Sequence, residues 1–213
     1  MASYRGHLAT SSVLGAAYGG AAMWYWNIDW APASLAGGLT ALGGLLPDLD
    51  SDSGVPVREL FGLLGAAGAF LLLGRLASTH FSPEQVLVVL ASVYLFIRYG
   101  LASYFKHMTV HRGMFHSIPA MLIAGFAVYL AYHGDDWLRR YLAGGIMLGF
   151  FSHLMLDELC SVNFSGVAIR VNRFSGSALK LTSPSWQATG FTYAVLIALA
   201  GVAYLRNDLP LRR

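Results

Sequence analysis

Charge is scarce in this sequence. Asp, Glu, Lys and Arg make up 12% of its 213 residues, against about 25% in soluble domains. Cysteine is nearly absent, and the single Cys160 excludes both an intramolecular disulfide and a thiolate zinc site. There is no His-Glu-x-x-His for a zincin and no Gly-x-Ser-x-Gly elbow for a serine hydrolase. No basic run with interleaved aromatics accompanies the net charge of +3, so nucleic acid is not an expected partner. Apolar residues, in contrast, reach 56% and glycine numbers 24, with a mean hydropathy of +0.55. That composition excludes a disordered chain, a coiled coil and nearly every water-soluble enzyme. It fits a polytopic membrane protein in which small residues let helices approach closely. The positive balance suits anionic lipid headgroups.

The apolar stretches predict an all-α membrane bundle, a single domain over 1–213, with about seven spans at 8–26, 31–46, 60–76, 84–105, 117–133, 141–157 and 189–205. The second is short and glycine-rich, as a re-entrant or tilted element would be. The first has an Ala/Gly-rich core unlike that of a signal peptide, and reads as an uncleaved span. Seven crossings put segments 1–7, 47–59, 106–116 and 158–188 on one face. That face carries Arg5, Arg58, Lys106, Arg112, Arg170, Arg173 and Lys180, two more basic residues than the other, which leans it toward the cytoplasm.

Four polar elements fall on this same face. His7 opens the first span, within Gly6-His7-Leu8. Leu46-Pro47-Asp48-Leu49-Asp50 closes the second. His111-Arg112-Gly113-Met114-Phe115-His116-Ser117 enters the fifth, with Ser117 as an N-cap and Pro119 in the first turn. Ser152-His153-Leu154-Met155-Leu156-Asp157 ends the sixth. His153 and Asp157 are four apart and share a helix face, so an imidazole and a carboxylate can ligate one divalent ion. Two rows spaced by four, His7-Ser11-Gly15-Gly19 and Gly145-Gly149-His153-Asp157, each join a small stripe to ligands. Packing those stripes together would bring the ligands together. His80, His107 and His133 read as interfacial.

In combination these motifs resemble the membrane-bound metal-dependent hydrolases, also described as LexA-binding, inner-membrane-associated hydrolases. The resemblance covers roughly residues 1–160. That family is similar in turn to the zinc-dependent phospholipase C and nuclease group. The resemblance implies an inner-membrane enzyme that hydrolyses phosphoesters at a multinuclear zinc site.

The expected metal ligands are His7, Asp48, Asp50, His111, His116, His153 and Asp157. The donor set favours zinc, with manganese or iron as alternatives. A metal-activated water would attack phosphorus, with Asp48 or Asp50 as general base and Arg112 neutralising charge on the phosphoryl oxygens. A possible hairpin lies in 161–185, with Val167, Ile169 and Val171 on one strand, a turn at Ser175-Gly176, and Ala178 to Leu181 as its partner. It would be a lid carrying Arg170, Arg173 and Lys180 toward an anionic lipid headgroup.

Competing classes can be weighed by motif and depth. Asp157 is about 24 Å along its helix from Tyr141 at 1.5 Å per residue, at headgroup depth rather than the mid-membrane depth of transporter sites. Type-2 phosphatidic acid phosphatases need a Pro-Ser-Gly-His that is missing. A ceramidase-like zinc amidase is the runner-up, since such enzymes also use a few His and Asp at one membrane face. A non-catalytic, membrane-anchored interaction protein with a structural metal is the other alternative.

Overall fold

The computed structural model describes residues 3–50, 55–76, 81–104, 114–132, 134–165, 168–171 and 179–208. Helix dominates. Helices α1 (Tyr4–Trp26) and α2 (Trp30–Gly43) are followed by a one-turn 3₁₀ helix at Pro47–Asp50 and by α3 (Val55–Leu76). Helix α4 (Pro83–Tyr104) turns π-helical over Phe96–Leu101. Then come α5 (Ile118–Ala131), α6 (Asp136–Ser161), strands β1 (Val162–Ser165) and β2 (Ala168–Val171), and α7 (Trp186–Asp208). Each helix matches one of the seven expected stretches. Three of them, α4, α6 and α7, are long and apolar enough to cross a membrane, and α5 is a shorter apolar helix.

Local chemistry sets the helix ends. Ser3 caps α1 by accepting from the Gly6 N–H, and Asn27 ends it in the left-handed region at φ 50°, which asparagine tolerates better than most residues. Ser82 and Gln85 form a capping box at the start of α4, with Pro83 in its first turn. Ser117 caps α5 by accepting from the Ala120 N–H, with a proline in the first turn, as the sequence predicts.

The chain divides into two compact units, Met1–Pro47 with Gly113–Arg213, and Asp48–Arg112. The second unit is built on the pairing of α3 with α4. In the first, α2 packs on both α1 and α6, and α5 packs on α6 and α7. Here one expectation is corrected. The glycine stripes of α1 and α6 do not face each other; both face α2. A methyl group added at Gly15 or Gly19 would run into the Gly37 or Ala33 carbonyl, and one at Gly149 into that of Thr40. Helix α2 is lined with Ala33, Ala36, Thr40 and Gly43 on its buried side, so it is thin enough to fit between them. Helices α1 and α6 still touch through stacked rings, Tyr18 on Tyr141 at 4.8 Å and His7 on His153 at 3.6 Å between centroids. The second stack lies just past the end of α2.

The hairpin is present but differs from its expected form. Strand β2 contains Ile169 and Val171, but its antiparallel partner is the preceding β1, with Val162 opposite Val171 and Ser165 opposite Ala168. Two residues separate the strands, so the closer pairing closes a far shorter loop than a turn at Ser175-Gly176 would. Lys180 forms a parallel bridge with Ser117 instead, and its carbonyl accepts from the Ile118 N–H at 3.2 Å.

Candidate metal centre

Three imidazoles meet one carboxylate at the end of the first unit. His7 is in the first turn of α1, and His116 directly precedes the Ser117 cap of α5. His153 and Asp157 lie in the last turns of α6, one turn apart. All four are buried, with exposures of 3%, 4%, 1% and 5% respectively. The Nε2 atom of His7 is 3.3 Å from Asp157 Oδ1. Those of His116 and His153 are 3.8 and 3.6 Å from Asp157 Oδ2.

The spacing can be tested against an ion. Ligand atoms on a tetrahedral zinc with bonds of about 2.0–2.1 Å stand roughly 3.3 Å apart. One donor atom from each of His116, His153 and Asp157 falls within 4.8 Å of the other two. The three contacts to the carboxylate are long for hydrogen bonds and close to a ligand-to-ligand edge. The residues present therefore fit a divalent cation with nitrogen and oxygen donors.

The tautomer of His153 supports the same conclusion. Its Nδ1 is 2.7 Å from the Gly44 carbonyl oxygen. A carbonyl only accepts, so Nδ1 carries a proton and donates, while Nε2 faces the Asp157 carboxylate at 3.6 Å. Metal-binding histidines commonly donate their second ring nitrogen to such a carbonyl. Gly44 can serve because it has no side chain: a Cβ there would overlap Ser11, whose hydroxyl donates to the Ala41 carbonyl at 3.1 Å. No hydrogen-bond partner reaches His7 Nδ1 among the described residues.

Of the residues expected at the site, the structure thus brings together His7, His116, His153 and Asp157. Asp48 and Asp50 lie in the 3₁₀ turn that opens the second unit. Arg170 is in β2. Lys180 pairs through its backbone with Ser117, next to His116 in the chain. His111, Arg112 and Arg173 lie outside the described residues, as do His80, His107 and His133. The Gly44 carbonyl is the contribution that sequence reasoning missed. A backbone acceptor leaves no signal in residue type, although the Gly43-Gly44 pair at a helix end marks a close approach.

Fold and site together define a class: a helical membrane protein with a buried His/Asp cluster at one end of its bundle. The chain belongs to the YdjM inner membrane protein family, whose model matches residues 5–207. The inner-membrane and LexA-related part of the resemblance drawn from the motifs stands with that match. No curated protein and no solved structure matches the chain.

Proposed function

We propose that this protein is a metal-dependent hydrolase of the inner membrane, cleaving a phosphoester in a phospholipid or another lipid-linked phosphate. The observation that carries the reading is the convergence of three imidazole Nε2 atoms on the Asp157 carboxylate at a bundle end. His7, His116, His153 and Asp157 would hold the cation, zinc first by donor type. A bound divalent ion supplies Lewis acidity toward a water and a phosphoryl oxygen. The chain's own residues do the rest. Gly44 fixes the His153 ring and its tautomer, and Asp157 supplies the negative charge that three imidazoles lack. Arg112, from the His-Arg-Gly-x-x-His motif, neutralises charge on the phosphoryl group. Lys180, bridged by its backbone to Ser117, attracts an anionic headgroup.

A second reading has one observation in its favour. All four candidate ligands are almost completely enclosed, and closed sites are typically structural. A membrane-anchored protein with a structural metal would show the same burial. Zinc-loaded protein incubated with a phospholipid panel in mixed micelles distinguishes the two. The hydrolase reading predicts release of a phosphate-bearing or dephosphorylated product from at least one lipid, lost with a chelator and restored by zinc. Intact lipids throughout, with metal bound stoichiometrically, would establish the structural role.

A further inference from the structure

In the second unit, Arg98 stands inside a candidate membrane span. Helix α4 covers Pro83–Tyr104 with a mean hydropathy of 1.9 over its most apolar window, of which only 6% is buried. A cation in such a helix is costly and generally marks a function. Arg98 is six residues from Tyr104, the last described residue of the helix, and its long side chain can extend along the helix surface.

Three features prepare a place for the guanidinium. The helix widens to a π-helical turn over Phe96–Leu101, centred near Arg98, and such turns recur at functional sites. The Tyr94 and Tyr99 rings flank the charge, with their centroids 5.8 and 5.7 Å from the guanidinium carbon. Opposite, α3 offers Gly62, where an added Cβ would overlap the Arg98 Nη1. A side chain there would displace the guanidinium from that notch. No carboxylate lies within ion-pair distance of Arg98 among the described residues. Glu59, one turn before Gly62, is paired with its neighbour Arg58 at 3.2 Å. The rings take up part of the guanidinium face, while its planar fork of N–H donors remains suited to phosphoryl oxygens.

We propose that Arg98 in the Gly62 notch is a phosphate-binding site that anchors the phosphodiester of a membrane phospholipid at the α3–α4 pair. Basic pockets between membrane helices bind lipid headgroups by this chemistry. The site is independent of the metal reading and stands whether or not the protein is an enzyme.

Native mass spectrometry of the purified full chain tests it, with phosphatidylglycerol, diacylglycerol and inorganic phosphate as probes. The expected result is retention of phosphatidylglycerol but not of diacylglycerol, which shares the acyl chains and lacks the phosphate. Arg98→Gln should weaken retention about tenfold, the loss of one charge-assisted contact. Gly62→Ala should weaken it as well, because it displaces the guanidinium without removing the charge. Arg98→Lys should fall between wild type and Arg98→Gln. Competition by millimolar inorganic phosphate would identify free phosphate as the ligand of the same notch, and its failure to compete would identify the lipid. Each variant is checked for unchanged helical content, so that a folding defect is not read as lost binding. Retention of phosphatidylglycerol by well-folded Arg98→Gln at wild-type strength, or equal retention of diacylglycerol, would overturn the proposal.

Discussion

At the residue scale the account depends on Asp157. It is the one carboxylate among the four residues that meet at the site, and three imidazoles point their Nε2 atoms toward it. Asp157→Asn keeps the shape and removes the charge, so zinc affinity should fall by about tenfold or more. Titration of the purified variant with zinc, read by a competing chelator dye, checks this. Undiminished affinity would remove Asp157 from the site. The His153-Asp157 pair was legible in the sequence because helical spacing alone puts positions four apart on one face. His7 and His116 were legible as motif members, yet their approach to α6 depends on tertiary packing that no local pattern encodes. Arg98 belongs to none of the four motifs, yet it stands out in the sequence as a lone arginine in an apolar run of spanning length.

At the scale of elements, α2 decides how the ligands meet. It was expected as the short, glycine-rich stretch, and it is a 14-residue helix set between two longer ones. The rows of small residues on α1 and α6 were visible at spacings of four, but their partner was not. Spacing identifies a face and cannot say which helix covers it. Gly149 is the tightest test, since a side chain there would enter the Thr40 carbonyl. Gly149→Val should force α2 from α6, costing about 1–3 kcal/mol as overpacking does, and should pull the Gly44 carbonyl away from His153. Thermal unfolding in detergent should show a clear loss for this variant. Gly201→Ala on α7, where nothing lies within 4 Å of the added methyl, should be neutral or stabilising by roughly 0.5–1 kcal/mol. Equal behaviour of the two would contradict the packing argument. The hairpin teaches a similar lesson: alternation marked β2 correctly, while the partner strand followed from the shorter connection.

For the whole molecule, the ends of the first unit have different chemistry. Trp24, Tyr25 and Trp26 at the end of α1, Trp30 at the start of α2 and Trp137 at the start of α6 are all exposed, the pattern of an interfacial aromatic belt. They lie at the opposite helix ends from His7, His153 and Asp157. At that same end Arg206 Nη1 donates to the Leu130 carbonyl at 2.6 Å, joining α7 to the C-terminus of α5. The alternation of faces read from seven apolar stretches therefore holds for the helices of this unit. The buried His/Asp cluster thus lies at one end of this unit and this group of exposed aromatics at the other.

Metal analysis of the purified wild-type chain tests the central claim most directly. Protein prepared in detergent without chelators, and supplemented with zinc during growth, is measured by inductively coupled plasma mass spectrometry beside Asp157→Asn handled identically. The account predicts a divalent metal, zinc foremost, at a stoichiometric level in the wild type and far below that in the variant. Folded wild-type protein without stoichiometric divalent metal, even after zinc is added back, would contradict it.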